Sequence, residues 1–510
     1  MKTPILGSSY VLRSPNAADA RMVNLYPEVI PEGGKEPAYL QRCPGMELIA
    51  SVGAGPIRGL WNYKNDIYIA SGNELFKMTP NITITKLGNI TGTGPVSMAD
   101  NGFQLFVACN PDGYIYNFNT GVFAQITDPD FPGAVTVGYL DGYFVFNEPN
   151  SQRIWVTQLL DGLSIDSLDF ASAEGSPDGL VAIMIDHREA WLFGTNSTEV
   201  WYNSGNPDFP LERIQGAYNE VGCIAPYSVA KLDNTVFWLG ADARGRGIVY
   251  RANGYQAVRV STHAVEFAIQ QYTDMSDALA YTYQQDGHSF YVLIFPTADT
   301  TWVFDAATGA WHERAALVNG EYKRHRSNCH AVFTGYPTIG DYQNGNIYQF
   351  KLDQYWDAGQ VQKWLRRWRA LPTGQNNLTR TLHHQLQLDC QTGVGGTGED
   401  LILATEGAVE IETNQLVFPN ITPSSIYALV GNDIGVNPQV MLRWSDDGGH
   451  TWSNEYWREM GQIGATQTRV IWRRLGATMK SRDRVYEVSG TDPVVVAIMG
   501  AELQASPTTA

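Results

Sequence analysis

The sequence predicts a mainly β protein, a β-propeller of six or seven blades with an extended N-terminal arm and a C-terminal β-sandwich-like domain, and three observations predict it. First, a strand-turn-strand cassette recurs whose third strand carries an aromatic or bulky pair. The aromatics that mark it, Phe76, Tyr116, Trp155, Trp201, Tyr250, Trp302 and Tyr348, stand 40, 39, 46, 49, 52 and 46 residues apart, which is the period of propeller blades. Second, Gly (50) and Pro (25) are plentiful, and the apolar stretches between them are short and rich in Val, Ile, Tyr, Phe and Trp, the mark of strands bounded by turns. Third, the period is lost from about Ala370, where a different set of strand candidates begins. A four-stranded blade cannot bury both faces alone, so such cassettes are stable only when arranged around an axis. A ring-like platform or conduit is therefore favoured over a cleft enzyme.

Residues 1–54 form the expected arm. They lack a clear period and carry Pro4, Pro15, Pro27, Pro31, Pro37 and Pro44 with Gly33-Gly34, which reads as extended chain. The propeller is expected over 55–369. Its first cassette has a turn at Lys64-Asn65, a strand at Ile67-Tyr68-Ile69, a turn at Ser71-Gly72-Asn73 and strands at Leu75-Phe76 and Ile82-Thr83-Ile84. Turns at Asn101-Gly102, Asp141-Gly142, Asp233-Asn234 and Asp286-Gly287 keep the same place in later cassettes, because such pairs supply the positive φ of tight hairpins. The seventh cassette, ending near Asp357, is the weakest: Thr334-Gly335-Tyr336-Pro337 replaces the polar turn and its fourth strand is uncertain. One helical pattern, His263 to Tyr272, interrupts the strands. Residues 370–510 form the C-terminal β domain, with strand candidates at 383–388, 409–411, 439–444, 468–475, 484–488 and 494–498, consistent with a small sandwich.

The formal charge is -17, and its distribution is uneven. Between Pro95 and Glu212 stand 16 carboxylates against two basic residues, Arg153 and Arg188, a local balance of -14. A protein that grips nucleic acid through counterion release carries a basic stripe over its main domain; this one does not. An acidic surface serves solubility, and it also lets a polyanion slide past without sticking. The five cysteines are far apart with no Cys-x-x-Cys pair, so neither a disulfide framework nor a zinc site is expected. No apolar run after Lys2 resembles a signal segment and no stretch approaches a membrane span, so synthesis in the cytoplasm is expected.

Two motifs supply candidate site residues. Ser445-Asp446-Asp447-Gly448-Gly449-His450-Thr451-Trp452 fits an Asp-box, Ser-x-Asp-x-Gly-x-Thr-Trp. In it Ser445, Asp447, Gly449, Thr451 and Trp452 are expected to build a turn rather than a reactive centre, since Asp447 can cap backbone amides while the tryptophan packs beneath. The segment Lys363 to Arg369 alternates charge and tryptophan. Read as a strand, it separates Lys363, Leu365, Arg367 and Arg369 from Trp364, Arg366 and Trp368. Lys363, Arg366, Arg367 and Arg369 are read as an interface or domain-junction strip in preference to a nucleic-acid contact. The paired carboxylates Asp128 with Asp130 and Asp446 with Asp447 are read as solvated loop residues. His383-His384 lacks a metal-ligand spacing, and Gly393-Val394-Gly395-Gly396-Thr397-Gly398 lacks the lysine of a phosphate loop. No catalytic residue, cofactor or metal is expected.

Several stretches resemble one family. Val23-Asn24-Leu25-Tyr26-Pro27-Glu28, Pro44-Gly45-Met46 and Ile57-Arg58-Gly59-Leu60 are similar to the opening of the packaged-DNA stabilisation proteins of short-tailed bacteriophages. Leu388 to Gly395, Pro438 to Ser453, Val470 to Gly476 and Ser481-Arg482-Asp483-Arg484-Val485 are similar to their ending. The resemblance implies a structural protein of the virion tail, a hub or nozzle that forms a hexameric ring below the portal and adaptor rings, continues the DNA channel, and helps retain and then release the genome. The partners it implies are further copies of the chain, the adaptor or portal-side ring, a tail needle or plug, tail spikes or fibres, and double-stranded DNA passing without sequence-specific binding. It implies no catalytic residues. The alternative is a glycan-binding or sialidase-like propeller, suggested by the Asp-box. A sialidase needs an arginine cluster and a Tyr-Glu pair with an acid Asp, and the propeller region is poor in arginine.

Overall fold

The computed structural model of the chain describes residues 1–11, 13, 18–173, 175, 178–242, 245–371, 380–396, 409–411, 415–417, 435–478 and 484–508. Ser481, Arg482 and Asp483 of the family resemblance, and Thr397 and Gly398 of the glycine-rich loop, lie outside these residues. The chain divides into two compact units, Glu47–Lys351 and Met1–Met46 with Leu352–Ala510. Strands dominate both; among the described residues there is one α-helix, His263–Gln270, its N-terminus capped by the Thr262 hydroxyl accepting from the Val265 amide.

The Glu47–Lys351 unit contains seven consecutive sheets. Six use residues 57–89, 97–125, 137–172, 180–219, 222–259 and 279–313; the fifth has five strands and the others four within these spans. The seventh takes three strands from 327–351 and a fourth from Gly45–Ser51. The first strand, or in the fifth sheet the turn and short strand that open it, packs on its counterpart in the next sheet, and the first strand of the seventh returns to that of the first. Each marker aromatic falls on the third strand of its sheet and is buried. Apolar clusters fill the spaces between successive sheets: Tyr68, Leu75, Leu105 and Val107 between the first two, Phe106, Phe144 and Phe146 between the next, and Ile57, Ile69, Phe333 and Ile347 between last and first. Side chains of this size contribute about 1.5–3 kcal/mol each when fully buried. The hairpins behave as their sequences require: Asp141-Gly142 and Asp286-Gly287 both have positive φ at both positions (47° and 103°, 52° and 80°).

The uncertain fourth strand of the last cassette is thus supplied from before the first sheet. The seam is tight. A Cβ on Gly345 would lie 2.4 Å from the Val52 carbonyl oxygen, and one on Gly55, at φ +70°, would lie 2.0 Å from the Asn344 carbonyl carbon. Local pattern reveals that a strand exists but not a partner some 300 residues away in sequence, on the order of two domain lengths, which is why the strand is invisible in its own cassette.

The second unit is built from two five-stranded layers. One runs in the order Leu25–Val29, Ala38–Arg42, Ala497–Pro507, Thr381–Cys390, Val470–Ala477; the other runs Met22–Val23, Trp364–Arg369, Val485–Gly490, Gln439–Ser445, Tyr456–Glu459. Leu25, Leu40, Leu386, Trp472, Ile498 and Leu503 of the first layer meet Met22, Trp364, Trp368, Leu442, Tyr486 and Val488 of the second in one core. The expected boundaries therefore shift. The arm, expected as extended chain over 1–54, gives strands to both layers, and the propeller expected to reach 369 gives way at Lys351, with Trp364–Arg369 inside the sandwich. The reason is that these segments bury their apolar faces in a core built largely of strands remote in sequence. A further pair, Val409–Ile411 with Gln415–Val417, forms a small hairpin.

Candidate functional site

The Asp-box forms a closed turn. Asp447 Oδ1 accepts from the Ser445 hydroxyl (2.6 Å) and from the amides of His450 (3.0 Å) and Thr451 (2.9 Å), while Oδ2 accepts from the Thr451 hydroxyl (2.6 Å) and amide (3.0 Å). Ser445 Oγ in turn accepts from the Gly449 amide at 2.8 Å, and Trp452 Nε1 donates to the Gly449 carbonyl at 3.0 Å. The Ser445 and Thr451 hydroxyls, helped by the backbone amides, hold the Asp447 carboxyl well below the usual carboxylate range. A carboxylate so engaged is a weak base and is not a proton donor near neutral pH. Gly449 sits at φ +97° with space for a Cβ closed by Asp19 Oδ2, 2.7 Å away.

The Asp-box and the basic strand come together. Arg367 bonds both oxygens of Asp19 (3.0 and 3.1 Å) and reaches Glu487 at 2.8 Å, with its guanidinium 4.6 Å from the Trp452 ring centre. Arg443 bonds Glu487 at 2.5 Å and lies 4.9 Å from the same ring. Burial pushes the Asp19 carboxyl above its ordinary pKa, opposed by Arg367. Arg366 faces the opposite side of the strand, fully buried, and donates to the carbonyls of Ile5 (2.6 Å), Ser8 and Ala20 (both 3.4 Å); burial lowers its pKa to about 10. Lys363 is half-buried and accepts at its carbonyl from Asn24 Nδ2, and Arg369, also half-buried, pairs in register with Val485. Among the named strip residues, Arg366 and Arg367 fasten strands of one unit. Asp446 is not the solvated loop residue expected: it accepts from Arg484 at 2.7 and 2.8 Å, and Arg484 is itself buried.

Sequence reasoning misses a cavity of about 340 Å³ at the hub of the seven sheets. It is lined by residues of the first, second, fifth, sixth and seventh sheets, including Arg58, Pro95, Tyr227, Asp277 and Arg324 near their opening strands and Tyr342 just after the second strand of the seventh. Arg58 donates to the carbonyls of Gly94 (2.6 Å), Gly72 (2.8 Å) and Thr91 (2.9 Å), and burial lowers its pKa. The Arg324 guanidinium lies 3.4 Å from the Tyr342 ring centre. The signal for this cavity in the sequence is slight, a single arginine in the strand Ile57-Arg58-Gly59-Leu60 and one in Lys323-Arg324-His325-Arg326.

Among the described residues no group of three His, Cys, Asp or Glu side chains could hold a metal ion, and no helix is long and apolar enough to cross a membrane. None of the five cysteines forms a disulfide.

A family model described as bacteriophage P22 Gp10, β-propeller, matches residues 1–355, and a second, bacteriophage P22 Gp10, β-sandwich, matches residues 420–506. A search of curated proteins found no match. Among solved structures, the computationally designed Ika8 protein is 13% identical over 60% of this chain and 99% of that chain, with a TM-score of 0.38. The N-terminal domain of Nup159 is 12% identical over 65% of this chain and 100% of that one, with a TM-score of 0.37. The extracellular domain of the putative one component system BT4673 from B. thetaiotaomicron is 11% identical over 87% and 57%, with a TM-score of 0.41.

Proposed function

The chain belongs to the bacteriophage P22 Gp10 family of packaged-DNA stabilisation proteins, and from that membership we propose that it is a structural protein of a short phage tail that assembles as a hexameric hub below the portal and adaptor rings. In that position it continues the DNA channel, helps retain the packaged genome and later lets it out. The observation that carries the reading is the ordered match of both family domains, propeller over 1–355 and sandwich over 420–506, along one chain. Three further features support it. The seventh sheet is completed by the chain's own upstream strand, so the propeller unit is closed on itself. The sandwich is stapled by buried arginines: Arg42 donates to the carbonyls of Val494 and Tyr355 and to the side chain of Gln362. The acidic excess over 95–212 disfavours trapping of DNA in transit.

The protein acts in this reading through surfaces alone. It carries no catalytic side chain, needs no cofactor, and meets copies of itself, the adaptor or portal-side ring, a needle or plug, and spikes or fibres. Its place is the virion tail, after synthesis in the host cytoplasm. Light scattering on the purified chain, alone and mixed with portal-adaptor complexes, tests the proposal. The expected particle holds six copies of 56.4 kDa, about 338 kDa, alone or on the adaptor. A chain that stays monomeric and joins no tail component would overturn it.

A further inference from the structure

We propose that the hub cavity of the Glu47–Lys351 unit binds a phosphate group bearing one proton, held by Arg58 and Arg324 and oriented by Asp277. Arg58 is 3% exposed and Arg324 9% exposed, and both line the cavity. The only partners of the Arg58 guanidinium among the described residues are three neutral backbone carbonyls, and its Nη2 has none. Arg324 Nη1 likewise lacks a partner, and its guanidinium rests on an aromatic face rather than a carboxylate. A buried cation is stable when an anion compensates it, and an unmatched one is strongly destabilising. Two such cations stand against one carboxylate, Asp277, at the cavity, and the positive charge left over calls for an anion.

The third group selects which anion. Asp277 also lines the cavity; its Oδ2 accepts from the Thr297 amide at 2.7 Å, while its Oδ1 is buried without a partner. An ionised carboxylate accepts hydrogen bonds and donates none. A ligand for this site must thus offer acceptor oxygens to two guanidiniums and one hydroxyl to Asp277. A carboxylate or sulfate ion has the acceptors but no donor for the Asp277 oxygen. Hydrogen phosphate, or a phosphate monoester carrying one proton, has both. Guanidinium and phosphate also match in geometry and charge-assisted bonding. The cavity, about 340 Å³, stands at the lower end of the range that holds small ligands.

Titration calorimetry of the full-length protein at pH 7 with sodium phosphate, sodium sulfate and a nucleoside 5′-monophosphate provides the test. One phosphate per chain is expected, with a Kd of about 1 mM or below, and sulfate is expected to bind at least about tenfold more weakly. R324Q should weaken phosphate by about tenfold or more. D277N, whose amide can donate, should lessen the preference for phosphate over sulfate. Circular dichroism verifies folding of each variant; because Arg58 also holds three backbone carbonyls, R324Q and D277N are the deciding variants. Tighter binding of the nucleotide assigns the ligand to a nucleotide's terminal phosphate, and tighter binding of the free ion assigns it to inorganic phosphate. Absence of saturable phosphate binding, equal binding of sulfate and phosphate, or phosphate binding unchanged in folded R324Q would overturn the proposal.

Discussion

At the scale of single residues, the Asp-box illustrates what a linear pattern conveys. Asp447 is legible because its partners, Ser445 and Thr451, lie within four positions. Its neighbour Asp446 escapes a local reading because its partner, Arg484, lies 38 residues away, and Arg367 is only partly readable because Asp19 lies 348 residues away. The energetic order is expected to run opposite to the strength of the motif. Asp446→Ala leaves the buried Arg484 without its carboxylate and should destabilise the sandwich unit by about 3–5 kcal/mol. Asp447→Ala opens an exposed turn, and its effect should be smaller. Denaturant melts of both variants measure this; a larger loss for Asp447→Ala would contradict it. The hub arginines show the same limit. Nothing adjacent to Arg58 or Arg324 announces that two strands so far apart face one cavity.

At the scale of elements, the third strand of every sheet is readable from its aromatic, because burial between sheets demands a large apolar group at a fixed place in each repeat. The helix at His263–Gln270 is legible from its apolar spacing. The strands of the first 46 residues are not, because prolines obscure their period and because the layers they join are completed by chain from the other end, Trp364–Arg369 beside Met22–Val23 and Ala497–Pro507 beside Ala38–Arg42. The seam of the seventh sheet gives the sharpest test at this scale. Gly345→Ala would press a methyl against the Val52 and Gly53 carbonyl oxygens, 2.4 and 2.5 Å from its ideal place. A cost of about 1–3 kcal/mol is expected, confined at first to the seam. Hydrogen exchange should show faster exchange of the Val52 amide, which donates to Gly345 at 2.7 Å, with sheets two to four unchanged. Uniform loss of protection across all sheets, or none, would count against a local seam.

At the scale of the whole molecule, stability should depend on acidity through buried imidazoles in both units. Burial lowers the pKa of His325 to about 3, in the propeller unit, and of His383 to about 3, in the sandwich; His312 is also held well below its ordinary value. These rings fold neutral, whereas the unfolded chain binds protons on them below its own pKa of 6.5. Their contribution is complete above that value and declines as the pH falls towards the folded values, by up to about 1.4 kcal/mol per pH unit for each ring. Asp447, depressed in the folded state, loses its contribution only below the ordinary carboxylate range, so the loss between pH 6.5 and about 4 belongs mainly to the histidines. Melting temperatures that stay level from pH 7 to 5 would refute this. The upstream seam strand has a further consequence, for biosynthesis. Residues 45–51 leave the ribosome roughly 300 residues before their sheet, a delay of about 15–60 s at 5–20 residues per second. Throughout that interval the nascent chain carries an unmated ribbon, so no propeller can shut until translation has passed residue 351, and a message truncated earlier yields a product that is adhesive by construction.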